Sequence, residues 1–279
     1  DVIFVDEAQD LSPIQWKMYD ILKKNSKYVI LAGDDDQAIY GWAGADVKRF
    51  QDEPAKDIIL PQSYRVPQQV QHIADKILSR IPDDRRIKKE WAPRPEPGTT
   101  NHITSIEDAP LHEGDWLILA RTNDKLIKLK STLKDLAIYF EIKGRKSYRT
   151  RLYKSIQDFT RWTNGDKLSL SECRDLFEFL EEESPTEERM YDLFEWGYSR
   201  TQPARVKLST IHAAKGGEAE NVLLILDNTK KIRDAIEKSQ DKYDEEQRVW
   251  YVGVTRTKQN LYVLTAKQED KGYDIESLG

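Results

Sequence analysis

Two stretches decide the fold: Asp1-Val2-Ile3-Phe4-Val5-Asp6-Glu7 and Tyr28-Val29-Ile30-Leu31-Ala32-Gly33-Asp34. Each is a continuous apolar run that stops at acidic residues, the pattern of a short strand buried on both faces. Between them Ser12-Pro13 reads as an N-cap followed by proline at the first helical position. Ile14, Met18, Ile21 and Leu22 keep helical spacing, which predicts a helix over about 13–24. Strand, helix, strand is a parallel βαβ unit. Ligands of open parallel sheets bind beyond the carboxyl ends of the strands, so the two acidic ends face one place.

The same signals continue outward. Gln51 to Lys56 is polar and reads as a linker, and a helix follows over about 67–79. Residues 80–98 are proline-rich and carry Arg80, Arg85, Arg86, Lys88, Lys89 and Arg94, which predicts a loop. Trp116 to Ala120 reads as a strand, Asp124 to Leu136 as a helix with a basic face, and Tyr139 to Ile142 as a short strand. A second basic stretch spans Lys143, Arg145, Lys146, Arg149, Arg151 and Lys154. Residues 163–204 turn acidic (Glu181-Glu182-Glu183, Glu187-Glu188) and aromatic (Phe177, Phe179, Tyr191, Phe194, Trp196), and read as a small helical insertion. Val206 to Ile211 and Val222 to Leu226 are predicted strands, Tyr243 to about Thr257 a helix, and Leu261 to Thr265 a final strand. No internal repeat or low-complexity tract interrupts them.

Composition narrows the function classes. The chain has 279 residues, 38% hydrophobic and 33% charged, as expected of a soluble protein with two cores and a solvated surface. No apolar run reaches the ~20 residues that span a bilayer, and no leader-like stretch opens the sequence. Cys173 is the only cysteine, which excludes an intrachain disulfide and a cysteine-rich zinc site and points to the cytoplasm. The four histidines lack metal-ligand spacing. A net charge of −5 argues against wholesale coating of nucleic acid but leaves room for a basic groove.

Asp6-Glu7 at a strand end suits phosphoryl transfer, one carboxylate holding Mg²⁺ and the next orienting water; a pair of solvated turn acids is the alternative. In Gly33-Asp34-Asp35-Asp36-Gln37-Ala38-Ile39-Tyr40-Gly41-Trp42, three adjacent acids repel one another and call for a cation or donors nearby. Gln37 can bridge a phosphate or water and a moving loop. Tyr40 and Trp42 flank a glycine; they either stack nucleobases or pack in the core.

These stretches carry a resemblance. Asp1 to Asp10 resembles motif II of the UvrD/Rep-like superfamily 1 helicases, and Gly33 to Gly44 their motif III. In the same order, Gln62-Ser63-Tyr64-Arg65 resembles motif IV, Leu117 to Asn123 the strand and Arg-Thr-Asn turn that follow, Val206 to Glu218 motif V, and Glu245 to Arg256 motif VI. The resemblance implies an α/β fold of RecA-like, P-loop NTPase-type parallel sheets. One sheet would be partial (1–55) and one near complete (56–162 and 205–279), with residues 163–204 as a reduced accessory insertion. It implies ATP and Mg²⁺ as cofactors, single-stranded DNA and single/double-strand junctions as partners, a replication or repair protein as a further partner, and no membrane. Asp6 would coordinate Mg²⁺, Glu7 act as base, and Gln37 sense the γ-phosphate. Arg65 and Arg256 would contact the γ-phosphate, Tyr64 stack on adenine, Glu218 bind ribose, and Tyr40, Trp42 and His212 touch single-stranded DNA. Taken singly, Arg256 reads equally as a helix C-terminal charge, His212 as a core histidine and Glu218 as a solvated acid.

The departures matter as much. G-x-x-x-x-G-K-[ST] does not occur; Gly144-Arg145-Lys146-Ser147 lacks its spacing, and Lys215-Gly216-Gly217 is not one either. The chain therefore reads as the rear part of a motor, binding at most and hydrolysing ATP at background rate by itself. In the resembled family a phosphate-loop strand lies beside the motif III strand, so Tyr28 to Ala32 is expected to present an uncovered edge that invites self-association. Ala43 stands where that family has arginine, and Gly217-Glu218-Ala219 where it has an apolar residue before Glu-Phe. The stretches 85–94 and 143–154 are either DNA-backbone contacts or ordinary solvated loops. The implied parent translocates on single-stranded DNA, 3′ to 5′, and unwinds duplex. A non-hydrolytic DNA-binding scaffold and the motor part of a helicase–nuclease are the rival readings.

Overall fold

The structure is a computed structural model that describes residues 1–136, 138, 140–146, 158, 161, 164–174, 204–266 and 272–275. Strands β1 (Val2–Val5) and β2 (Tyr28–Leu31) pair in parallel, Val2 opposite Tyr28 and Val5 opposite Leu31. Helix α1 (Pro13–Lys24) crosses between them, with the Gln15 side-chain oxygen accepting the Ser12 N–H at 2.8 Å. The capping box closes donors that the first helical turn leaves open. The helix buries Trp16 and Tyr19 against Ala8, Val5, Val29, Leu31 and Phe50. Short helix α2 (Val47–Gln51) starts at Asp46, whose carboxylate accepts the Arg49 N–H at 3.0 Å.

One expectation fails here. The apolar runs predict strands buried on both faces, yet Val2, Phe4, Tyr28 and Ile30 form an exposed face, Phe4 74% accessible. Alternation puts these four on the side away from α1, where no second layer lies among the described residues. Ile14, Met18, Ile21 and Leu22 of α1 are likewise exposed.

The larger sheet holds seven strands, parallel except for the last, in the order β5 (Thr99–Ile103), β11 (Thr257–Leu264), β10 (Ala219–Ile225), β6 (Trp116–Ala120), β9 (Val206–Thr210), β7 (Phe140–Ile142), β8 (Arg145–Lys146). Its central strands are apolar on both sides. Leu117, Leu119, Val222 and Leu224 face a core shared with α3 (Gln68–Leu78) and α6 (Gln240–Val254). Trp116, Ile118, Leu223 and Ile225 face the opposite core under α4 (Asn123–Asp135). Coverage of both faces is what a parallel sheet requires. Helix α6 is buried from Glu246 to Val254 because it lies across the sheet rather than on its rim. Strands β3 (Gln62–Pro67) and β4 (Ala92–Arg94) form a separate parallel pair, and α5 (Lys230–Lys238) leads into α6. None of the described helices is long and apolar enough to cross a membrane.

Residues 80–98 are a correction. They are a loop with β4 inside it, but Arg85, Arg86, Lys89 and Arg94 turn to partners within the protein, while Lys88 stays exposed. Arg85 pairs with Asp241 and Asp244 of α6, Arg86 with Asp36, and Lys89 with Asp34, Asp35 and Asp36. Arg94 donates to the Lys258 carbonyl and pairs with Glu96. A solvated DNA-contact strip at 85–94 is thus replaced by an internal clamp. The second basic stretch, 143–154, lies mostly outside the described residues, as does the insertion at 163–204 apart from 164–174 and Ala204.

Candidate nucleotide and nucleic-acid site

The two strand ends of the small sheet meet as the sequence requires. Asp6 and Glu7 follow β1 and are exposed, and Glu7 takes a left-handed backbone (φ 51°, ψ 40°), uncommon for a side-chain-bearing residue. Buried Gln9 ties the two ends together. Its amide donates to the Glu7 carboxylate at 2.5 Å, and its side-chain oxygen accepts the Asp34 N–H at 3.0 Å.

The acid run after β2 finds its cation. The Asp34, Asp35 and Asp36 carboxylates cluster closely enough to hold a metal ion. Lys89 already fills that role, 2.8 Å from Asp34 and 3.0 Å from Asp36, with a short contact to Asp35. Arg86 grips Asp36 with two bonds, 2.9 and 2.7 Å. Burial drives the Asp35 carboxyl up, but the Lys89 charge, with bonds from Lys89, the Ile87 N–H and Gln51, outweighs it and holds it below the ordinary value. Repulsion among adjacent acids was legible in the sequence; which cation answers it was not, because Lys89 lies on another strand pair's loop.

Gln37 stands between the two sheets. Its amide donates to Asp34 at 2.7 Å and its oxygen accepts from Arg256 at 3.2 Å. Arg256, just beyond α6, is almost fully buried, and among the described residues it bonds only neutral acceptors, the Val252 and Gly217 carbonyls included. Burial first, and the neighbouring Arg65 second, push its pKa down to about 10. Arg65, on β3, is also lowered by burial, partly offset by Glu218 and Tyr251. Among the described residues its buried Nε has no hydrogen-bond partner, and its nearest carboxylate, Glu218, lies 4.0 Å away. Two under-compensated guanidiniums that destabilise each other have the donors to take an anion with several oxygens. Glu218 is half exposed and 3.1 Å from Lys258. Tyr64, beside the arginines, is 88% accessible, so its ring face is free to stack.

On the neighbouring surface Tyr40, Trp42 and His212 meet edge to face, with ring centroids 6.2–6.4 Å apart. Trp42 is the exposed ring; Tyr40 and His212 back it up. The Tyr40 hydroxyl donates to the His212 carbonyl at 2.9 Å, and the His212 ring is hydrogen-bonded to the Ile39 backbone. Burial, then the Arg121 charge, pushes His212 down to about 4, so the ring is neutral at pH 7. A neutral aromatic surface suits base stacking better than phosphate pairing. Gly44, at φ 90°, closes the turn carrying Trp42 in a conformation that glycine tolerates.

Three further residues join these parts, and the sequence reading gave them no role. Lys215 reaches from the turn after β9 to Asp10, Glu7 and the Gln37 carbonyl. Arg121, at the end of β6, pairs with buried Glu246 at 2.9 Å, which also accepts from Trp250 at 2.8 Å. Each partnership spans more than a hundred residues or lies within α6, so local spacing does not announce it.

Parallel α/β sheets with an arginine pair and an aromatic face beside them make an α/β architecture of RecA-like kind. The UvrD/REP helicase N-terminal domain family matches residues 1–56, and the UvrD-like helicase C-terminal domain family matches residues 150–268. The chain belongs to the UvrD/Rep-like helicases of superfamily 1. It is 39% identical over 93 residues to DNA helicase II of Haemophilus influenzae, covering 32% of this chain and 13% of that protein. It is 27% identical over 192 residues to the ATP-dependent DNA helicase PcrA of Staphylococcus epidermidis, covering 60% of this chain and 26% of that protein; PcrA of Staphylococcus aureus matches to the same extent. The aligned chain thus spans about a quarter or less of the length of these curated relatives. The C-terminal domain of a possible DNA helicase from Lactobacillus plantarum superposes with a TM-score of 0.37 at 12% identity, over 72% of this chain and 86% of that one.

Proposed function

We propose that the chain supplies the catalytic acids, the phosphate-sensing arginines and the strand-stacking face of an ATP-dependent DNA helicase. The observation that carries this reading is the pair Arg65 and Arg256, both desolvated and the Arg65 charge lowering Arg256, with Arg256 bonded to Gln37 and the Arg65 Nε without a hydrogen-bond partner among the described residues. The residues fit a nucleoside triphosphate: Arg65 and Arg256 at its terminal phosphate, Gln37 beside them, Tyr64 for the base, Glu218 for the ribose, and Asp6 for Mg²⁺. Bound MgATP supplies the phosphoryl group whose transfer to water releases the free energy for movement. Glu7 orients the water. Arg65 comes from β3, Arg256 from the turn between α6 and β11 of the larger sheet, and Glu7 from the end of β1 in the smaller, so closing these parts on the phosphates assembles the site. Tyr40, Trp42 and His212 hold single-stranded DNA by stacking. By the order of the motifs, the first RecA-like unit takes residues 1–55, the second 56–162 with 205–279, and 163–204 are assigned to an insertion.

Translocation runs 3′ to 5′ and opens single/double-strand junctions, with a replication or repair protein as partner in the cytoplasm. The 279 residues alone, lacking G-x-x-x-x-G-K-[ST], bind nucleotide and DNA and do not turn ATP over. The test is DNA-stimulated ATP hydrolysis and strand displacement by the protein as its gene encodes it, beside the Glu7→Gln and Arg65→Ala variants. Loss of both activities, with strand binding retained, supports the reading. Hydrolysis that survives Glu7→Gln refutes it.

A further inference from the structure

Lys215 is nearly buried and stands where three functional parts meet. Its ammonium bonds the Asp10 carboxylate and the Gln37 carbonyl, the latter at 2.9 Å, and lies 3.3 Å from the Glu7 carboxylate. The same group sits 5.2 Å from the centroid of the Tyr40 ring. An ammonium has three protons, and three acceptors surround this one. Glu7 is therefore held from two sides, by Lys215 and by the Gln9 amide. A base needs an open lone pair directed at water, and here both donors compete for it.

The backbone links Lys215 to the aromatic face. The His212 carbonyl accepts both the Tyr40 hydroxyl at 2.9 Å and the Lys215 N–H at 3.4 Å. A base settling on Trp42, Tyr40 and His212 thus pushes on the turn that carries Lys215. Position 43 is alanine and offers no charge on this route. Among the described residues, Lys215 is the cation that touches both Glu7 and Tyr40.

We propose that Lys215 is a positioning residue that restrains Glu7 while the aromatic face is empty and releases it when a DNA strand occupies that face. The proposal rests on the reading of Glu7 as the base. It makes Lys215 the part that renders ATP hydrolysis dependent on DNA, through a contact from the larger sheet to the smaller.

The test measures ATP hydrolysis by the protein as its gene encodes it, with and without oligo(dT), for wild type, Lys215→Met and Lys215→Arg. Lys215→Met is expected to raise the DNA-free rate by about tenfold, a small part of what a positioned base contributes, and to collapse the stimulation ratio. Lys215→Arg is expected to restore much of the dependence. A DNA-free rate that stays level or falls in Lys215→Met overturns the proposal, because a purely structural lysine lowers both rates together. If losing the partner of part-buried Asp10 unfolds the single variant, Asp10→Asn/Lys215→Met removes both charges and carries the same readout. Glu7→Gln separates the two ideas. Hydrolysis abolished in Glu7→Gln, with no rise in Lys215→Met, sinks this inference alone; hydrolysis that survives Glu7→Gln sinks the reading beneath it.

Discussion

Lys89 bridges three acids, and its removal should be costly in a pH-dependent way. Asp35 and Asp36 are buried and the Lys89 side chain is 17% accessible, so solvent screens the cluster poorly. At the effective dielectric of protein pairs, each contact near 3 Å is worth ~5 kcal/mol of gross attraction, most of it offset by desolvation. Breaking a buried pair by deleting one partner costs about 3–5 kcal/mol net, and Lys89→Met leaves Arg86 to neutralise one acid of three. The sign follows from Asp35, whose folded carboxyl is held below 3.8. In wild type its contribution is present above pH 3.8 and is lost as the pH falls through the lower folded value. Without Lys89, burial is the leading influence and turns the shift upward, so the difference between wild type and variant is largest near neutrality and shrinks below about pH 4. Urea unfolding followed by tryptophan fluorescence at pH 7 and pH 4 measures both, with the exposed neighbour Lys88→Met as a control expected within about 0.5 kcal/mol of wild type. A loss under about 1 kcal/mol, or one that does not change with pH, refutes the clamp as a stabilising element.

Other consequences can be measured on the same protein. Trp42→Ala should weaken binding of single-stranded DNA by about 1–3 kcal/mol, the range for one stacked base, without changing its salt dependence; fluorescence anisotropy across a salt series reads both. His212, depressed to about 4 from 6.5, withholds stability as the pH falls through that interval, since the unfolded chain takes up the proton first. His212→Gln should flatten the decline seen in thermal melts between pH 6.5 and pH 4. The exposed face of Val2, Phe4, Tyr28 and Ile30 should make the 279-residue chain self-associate, and Phe4→Asp should shift light scattering toward monomer.

The sequence was most legible where one residue type serves one role along a whole element. Trp116 to Ala120 is apolar throughout because both faces of β6 are covered, and α1 runs over the predicted 13–24 because Ser12-Pro13 and Gln15 define its start. Polar elements escaped: β5 reads Thr-Thr-Asn-His-Ile because it is an edge strand, and α5 is charged along most of its length. The apolar run of β1 suggested two covered faces, but periodicity alone does not reveal how many layers a strand receives. Among site residues, Asp6, Glu7, Gln37, Arg65, Arg256 and the aromatic trio stand in recognisable blocks; the structure joins Gln37 to Arg256 and Tyr40 to Trp42 and His212. Lys89, Arg86 and Lys215 were hidden because each acts on carboxylates about fifty to two hundred positions away. Electrostatic need was visible in Asp34-Asp35-Asp36; the partner was a matter of tertiary structure.

We propose that Arg65 and Arg256 form a terminal-phosphate site coupled to a DNA-stacking face. The most direct test is ATP hydrolysis, with and without single-stranded DNA, by the protein as its gene encodes it and by its Arg256→Ala variant. Wild type should show DNA-stimulated hydrolysis, and the variant a loss of about 10³-fold or more, the scale of an arginine that stabilises a transferring phosphoryl group, with strand affinity nearly unchanged. Hydrolysis that is indifferent to Arg256→Ala would contradict it.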